Sequence, residues 1–134
     1  MARARARRHT GAMTTQDIFI VEDSALVRER LLELLGEMPE TRVVGTAAGA
    51  DEAIRDILAD RPDVVLLDLR LAQGSGFDVL RALHEAAPEI DVYMLSGFAT
   101  EPYRRLAARL GARDFFDKST EFGRVRDTLA ARLH

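Results

Sequence analysis

Short apolar runs alternate with helical patterns along most of this chain, and this alternation constrains the fold more than any other feature. Strands are predicted at residues 18–21, 64–67, 92–95 and 113–116, with a weaker one at 42–46. Three of them are continuous apolar runs, which is typical of strands buried on both faces. Apolar residues at helical spacing follow each strand. The repeated order of strand and helix predicts a (βα)5 fold, a doubly wound parallel sheet with helices on both faces.

The composition is that of one soluble domain. The chain has 134 residues, enough for one domain with a core, and no cysteine, which excludes disulfides and cysteine-based zinc sites. Its longest apolar runs are far shorter than the roughly 18 residues that a membrane span requires. No apolar stretch follows the basic N-terminus, as one would in a secretory signal. We therefore expect a cytoplasmic protein that does not enter a membrane.

Positive charge is concentrated at the N-terminus. Residues 1–13 hold four arginines and no acid, whereas the whole chain has a formal net charge of −3. We predict that residues 1–15 form a disordered basic arm and that residues 16–134 form the folded domain. Because the rest of the chain is acidic, we expect no direct nucleic-acid binding by that domain.

Polar residues follow the predicted strands at the points where they end. Glu22 and Asp23 close the first strand, Asp68 closes the third, Ser96 closes the fourth and Lys118 lies just past the fifth. The carboxyl ends of parallel strands lie at one edge of a sheet, and open α/β folds bind their ligands there. Each of these residues alone has an ordinary structural explanation, such as a helix cap or a turn. Their combination at four strand ends indicates a functional site.

The chemistry of this combination favours phosphoryl transfer. Carboxylates brought together raise one another's pKa, and a hard cation such as Mg²⁺ offsets their charge. Lys118, the only lysine among nineteen basic residues, adds a compact positive charge that an arginine fork does not provide. Asp68 is the candidate nucleophile because carboxylates form aspartyl phosphates. Ser96 is the candidate hydrogen-bond donor to the phosphoryl group, and the metal and Lys118 would stabilise its charge.

The chain resembles the receiver domain of two-component response regulators, of the chemotaxis-receiver type. The resemblance covers about residues 16–133, and the segments 21–24, 66–76, 94–97 and 115–118 carry it. It implies a flavodoxin-like receiver fold with the strand order 2-1-3-4-5. It also implies that Asp68 is the phosphoacceptor. Mg²⁺ would be bound by Asp68, directly by Asp23, mostly through water by Glu22, and by the backbone carbonyl of Arg70.

The resemblance also implies a switch and its partners. A histidine kinase or phosphotransfer protein donates the phosphoryl group, Ser96 moves toward it, and Phe115, the switch aromatic, rotates inward. The face made by the fourth helix, fifth strand and fifth helix then changes shape for a downstream protein, and it is a candidate homodimer interface. The domain catalyses only its own phosphorylation and dephosphorylation, so we do not expect an enzyme in the usual sense.

The sequence departs from the family pattern at three positions. Ala72 replaces the usual proline four residues after the acceptor, which predicts a looser loop. Ser119 stands where a cis proline is common, which favours a trans bond after the lysine, or a strained cis bond if the fold requires it. Phe115 replaces the commoner tyrosine. The large residues Arg70 and Phe98, each two positions after a site residue, are expected to shield the acyl phosphate and to slow its hydrolysis.

Other functions remain open from the residues. The chain could be a complete single-domain regulator or the receiver part of a longer DNA-binding regulator. An aspartyl-nucleophile phosphatase usually has a second acid two residues after the nucleophile, where this chain has Arg70. A flavin or nucleotide module would need a glycine-rich loop after the first strand, where this chain has Glu22 and Asp23. The phosphatase and the flavin or nucleotide module are therefore weaker alternatives than a response regulator.

Overall fold

The computed structural model describes residues 15–133, so the predicted basic arm lies outside the described residues except for Thr15. Strands and helices alternate in five repeats. The strands are β1 (Gln16–Val21), β2 (Thr41–Ala47), β3 (Val64–Leu67), β4 (Asp91–Ser96) and β5 (Asp114–Asp117). The helices are α1 (Ala25–Gly36), α2 (Ala50–Asp60), α3 (Gly76–Ala86), α4 (Glu101–Arg109) and α5 (Arg124–Ala131).

The five strands form one parallel sheet in the order β2-β1-β3-β4-β5, which confirms the predicted fold and strand order. β1 therefore lies between β2 and β3, and Val21 pairs with Leu67 at the carboxyl ends of β1 and β3. Ser96 pairs with Asp117 at the carboxyl ends of β4 and β5. This register brings the residues that follow β1 and β3, and those that follow β4 and β5, to one edge.

Two hydrophobic clusters cover the two faces of the sheet. Side chains alternate across each strand, so Phe19 and Val21 of β1 join the cluster of α2, α3 and α4, whereas Ile18 and Ile20 join that of α1 and α5. β1 and β3 are buried along their whole lengths, which explains the uninterrupted apolar runs at residues 18–21 and 64–67. No helix within residues 15–133 is long and apolar enough to cross a membrane.

Candidate functional site

Three carboxylates meet at the carboxyl edge of the sheet. Glu22 and Asp23 follow β1 and Asp68 follows β3, the neighbouring strand. One oxygen from each carboxylate lies within 4.8 Å of the others. Glu22 and Asp68 are buried, and Asp23 is exposed. The structure thus brings together the three acids that the sequence placed at strand ends.

Lys118 lies among these acids. Its Nζ is 2.9 Å from Asp68 Oδ2 and 3.0 Å from Glu22 Oε1. The backbone N–H of Lys118 donates to the carbonyl oxygen of Ser96 at 3.0 Å, which ties the end of β5 to that of β4. A single compact ammonium therefore bridges two buried carboxylates.

The pKa shifts follow from this crowding. Burial, and then the charge of Asp68, raise the pKa of Glu22 above its ordinary 4.5 even though Lys118 and the Ser24 backbone donate hydrogen bonds to it. Burial disfavours the ammonium of Lys118, but its hydrogen bonds to Asp68 and Glu22 outweigh burial and raise its pKa above 10.5. One lysine does not neutralise three acids, so the site is short of positive charge.

The backbone around Asp68 is closely packed. Asp68 Oδ1 accepts a hydrogen bond from the Leu69 N–H at 2.7 Å, and Oδ2 accepts one from Lys118. Gly76 begins α3 directly against this turn, because a Cβ at that position would lie 2.2 Å from the Asp68 carbonyl oxygen. Sequence reasoning assigned no role to Gly76, although a glycine at the first position of the following helix was a usable signal.

The loop that follows Asp68 is tied to the start of α2. The N–H of Ala72 donates to Ala48 at 3.0 Å, and the N–H of Ala50 donates to the Gln73 carbonyl at 2.7 Å. The Gln73 side chain accepts from the Asp51 N–H at 2.9 Å. The sequence predicted a looser loop, and in the structure these three hydrogen bonds hold it. A proline at position 72 would have no N–H to make the first of them. Sequence reasoning missed Gln73 altogether.

Replacing Ala72 by proline, the usual family residue, is expected to destabilise this protein. The substitution removes the N–H that bonds to Ala48 and should lower the free energy of unfolding by about 0.5–1.5 kcal/mol. Urea denaturation of Ala72→Pro measures the change, with Ala72→Ser as the control that keeps the N–H. A proline variant more stable than the wild type would contradict the assigned role of this bond.

Arg70 and Phe98 meet over a cavity that Leu69, the residue after Asp68, also lines. The Arg70 guanidinium carbon lies 4.4 Å from the centroid of the Phe98 ring. The cavity has a volume of about 450 Å³, and Phe77 and Tyr103 also line it. Both members of the stacked pair are exposed. The structure thus joins the two residues that were predicted to shield the phosphate.

Ser96 and Phe115 lie inside the protein. Ser96 is fully buried, and its Oγ accepts a hydrogen bond from the Phe98 N–H at 3.0 Å. Phe115 is 4% exposed and belongs to the cluster under α4, so its ring is already buried in this structure. The bond between Lys118 and Ser119 is trans, as predicted, since no described residue has a cis peptide bond.

The strand order and the acids with a lysine at the carboxyl edge define a doubly wound α/β domain with a charged site at that edge. Residues 18–130 match the family model of the response regulator receiver domain, and the chain belongs to this family. A response regulator domain of Thermotoga maritima CheB superposes with a TM-score of 0.78 at 27% identity, covering 88% of this chain and 92% of that one. A LuxR-family regulator from Aurantimonas gives 0.83 at 27%, covering 90% and 86%.

Curated relatives are longer proteins. A protein-glutamate methylesterase/protein-glutamine glutaminase of Carboxydothermus hydrogenoformans is 36% identical over 123 residues, which are 90% of this chain and 36% of the relative. The DNA-binding transcriptional activator DevR/DosR of Mycobacterium tuberculosis is 36% identical over 101 residues, 75% of this chain and 46% of the relative. The chain thus spans less than half of the length of each.

Proposed function

We propose that this receiver domain is a switch in which Asp68 accepts a phosphoryl group from a phosphohistidine. The observation that carries the proposal is the placement of Lys118 Nζ within 3.0 Å of both Asp68 and Glu22. This arrangement holds the acceptor carboxylate beside a fixed cation, which is what a transferring phosphoryl group requires.

The transfer exchanges one bond to phosphorus for another, and side chains of the site assist it. A carboxylate oxygen of Asp68 forms a bond to phosphorus, the bond between phosphorus and the histidine nitrogen breaks, and that nitrogen keeps the electron pair. Lys118 donates hydrogen bonds to a phosphoryl oxygen as charge develops. Ser96 Oγ, which now accepts from the Phe98 N–H, turns to donate to another phosphoryl oxygen.

Mg²⁺ fits the residues present. Oxygen ligands suit this ion, and the pKa of Glu22 is raised by burial and then by the charge of Asp68, which Lys118 does not fully offset. We propose that Asp68, Asp23 and the Arg70 carbonyl bind it directly, with Glu22 acting mostly through water. The bound ion would neutralise part of the charge on the transferring phosphoryl oxygens.

Mg²⁺ binding is expected to weaken as the pH falls toward the raised pKa of Glu22. Metal ligands must be deprotonated, so protons compete with the ion at and below that pKa. The stabilising contribution of Glu22 to the metal-free fold is complete below 4.5 and is lost as the pH rises through its raised pKa. Added Mg²⁺ should therefore raise the Tm more at about pH 8 than at about pH 5. In Glu22→Gln the rise in Tm on adding Mg²⁺ should differ less between the two pH values. An equal rise at both pH values in the wild type would contradict this prediction.

The direct test of the proposed function is labelling. Incubation with acetyl phosphate and Mg²⁺, or with a phosphorylated histidine kinase, is expected to give an acid-stable, base-labile phosphoryl label on the protein. Chelation of Mg²⁺ should prevent it. If neither donor labels the protein in the presence of Mg²⁺, the proposed function is wrong.

The lifetime of the label tests the shielding by Arg70 and Phe98. Removing either side chain opens the path of water to the acyl phosphate, so Arg70→Ala and Phe98→Ala should each hydrolyse about 3- to 10-fold faster, a change of about 1 kcal/mol in the barrier. Loss of label after removal of the donor measures the rate. Glu101→Ala, at an exposed position on α4, is the control. Unchanged rates in both variants would show that the stacked pair does not shield the phosphate.

We propose the following partners and setting. A histidine kinase or phosphotransfer protein supplies the phosphoryl group, and the face of α4, β5 and α5 contacts a downstream protein or a second copy of the chain. The domain acts in the cytoplasm, binds no nucleic acid itself and catalyses only its own phosphorylation and dephosphorylation. We also propose that the receiver domain comprises residues 16–134, which follow the basic residues 1–15.

A second candidate is the same switch acting as the receiver of a longer regulator. The curated relatives support it, since the matched region is 46% of a DNA-binding activator and 36% of a methylesterase. In that case the switched face would contact an attached output domain. The phosphatase alternative gains no support, because Arg70, at the position of the second acid, stacks on Phe98.

A further inference from the structure

Arg104 on α4 joins three separate segments. Its Nε donates to the Ala99 carbonyl at 3.2 Å, and its Nη1 donates to the Phe115 carbonyl at 2.7 Å. Its Nη2 donates to Glu121 Oε1 at 3.1 Å. The guanidinium carbon also lies 5.5 Å from the centroid of the Phe115 ring. One side chain thus contacts the loop after β4, the strand β5 and the loop after β5.

Glu121 extends this connection toward the site. Its Oε1 also accepts from the Asp117 N–H at 2.9 Å, and its Oε2 accepts from Arg124 at 3.2 Å. Asp117 immediately precedes Lys118. The hydrogen bond from the Asp117 backbone, and then that from Arg104, lower the pKa of Glu121 below its ordinary 4.5, so it remains a carboxylate at neutral pH.

Only an arginine can make these contacts together. Its planar fork presents five N–H donors in fixed directions, whereas the ammonium of a lysine is a single point. The three acceptors lie in the loop after β4, in β5 and in the loop after β5, and β4 and β5 are the strands that carry Ser96 and precede Lys118. The side chain is 31% exposed, so solvent screens the pair with Glu121 only in part.

We propose that Arg104 is a positioning residue that couples the loops at 97–100 and 118–123 to β5, so that they and α4 respond together to phosphorylation of Asp68. The inference rests on the proposed function. Arg104 touches neither Asp68 nor the acids around it in the described structure, so it transmits the change without taking part in the chemistry.

The physical route runs through Ser96. Its Oγ accepts a hydrogen bond from the Phe98 N–H, which fixes the start of the loop at 97–100. The hydrogen bond from Arg104 to the Ala99 carbonyl fixes the end of the same loop. When Ser96 turns to the phosphoryl group, the first tie is lost. The bond to Ala99 then carries the movement of the loop to Arg104, and through it to α4 and Glu121.

Hydrogen exchange before and after phosphorylation tests this coupling. The variants are Arg104→Ala and Arg104→Lys. The matched control is Arg105→Ala, the next residue on α4, which is 63% exposed and whose ion pair with Glu101 spans 3.9 Å. Wild type and control should show a phosphorylation-dependent change in exchange over both residues 97–109 and 117–123.

In both Arg104 variants this change is expected to shrink by at least about fivefold, while the labelling rate stays within about twofold of wild type. A merely structural role would lower the Tm and leave the phosphorylation-dependent change intact. Arg104→Lys keeps the charge and much of the packing, so it gives the answer if Arg104→Ala does not fold. Adding Glu121→Gln to Arg104→Ala should cause little further loss, because the ion pair between Arg104 and Glu121 is already absent in Arg104→Ala.

The outcomes separate the two proposals. A wild type that labels, with Arg104 variants that respond to phosphorylation as it does, overturns the role of Arg104 and leaves the proposed function intact. An equal loss of the phosphorylation-dependent change in the Arg105→Ala control also overturns the role of Arg104, because any substitution on α4 would then have the same effect. A wild type that takes no label overturns the proposed function and, with it, this inference.

Discussion

Asp68→Asn is expected to abolish phosphoryl labelling. An amide is not a nucleophile toward phosphorus, and removal of a nucleophile costs most of a reaction's acceleration, here more than about 10³-fold. The amide is nearly isosteric with the carboxylate, and its oxygen can still accept the hydrogen bond from the Leu69 N–H that is 2.7 Å long in the wild type. The loss should therefore come from chemistry and not from unfolding.

The measurement is incorporation of label from acetyl phosphate or a phosphorylated kinase. Asp114→Asn is the matched control, because Asp114 begins β5 at the opposite edge of the sheet, and its label should equal that of the wild type. Label that persists in Asp68→Asn at full extent would show that another residue is the acceptor.

Lys118→Met is expected to slow labelling by about 10²–10³-fold, the usual cost of losing one fixed donor to a developing negative charge. It should also lower the stability of the metal-free protein by up to about 3 kcal/mol, because two buried carboxylates lose their shared ion-pair partner. Mg²⁺ should restore much of this stability. Labelling kinetics and urea denaturation with and without Mg²⁺ measure the two effects.

Lys118→Arg separates charge from shape. Arginine keeps the positive charge, so this variant should still accept the phosphoryl group. Its planar fork does not fit between Asp68 and Glu22, which the lysine Nζ approaches at 2.9 and 3.0 Å, so partner activation should be poor. Normal activation of a partner by Lys118→Arg would mean that the compact ammonium has no special role.

Much of the site could be predicted because its residues follow strands. A strand buried on both faces needs an uninterrupted apolar run, so the polar residue that ends it, such as Asp68 after β3, is visible in the sequence. The parallel arrangement then places all such residues at one edge. The acids, Ser96 and Lys118 were found in this way without knowledge of any distance.

The connections between loops could not be found in this way. The N-cap residue of α2 is Gly49, which has no side chain to accept a hydrogen bond. Gln73 accepts one instead from the N–H of Asp51, 22 positions earlier in the chain. From the sequence, Ala72 could be judged only as the replacement of a proline, which predicted a less rigid loop. Its N–H bond to Ala48 depends on where two loops meet, which the sequence does not show. In the sequence, Arg104 resembles any exposed arginine on a helix. Only the structure shows that it donates to three acceptors outside α4.

The sequence by itself therefore determined the alternating fold, the edge of the sheet that carries the site and the residue types at that edge, because each depends on the local period of apolar residues and on where it is interrupted. The tertiary structure decided how Lys118 is shared between two carboxylates, how Gln73 and Ala72 hold the acceptor loop, and what Arg104 joins. These depend on hydrogen bonds between segments far apart in the chain, whose geometry only the packed sheet and helices fix.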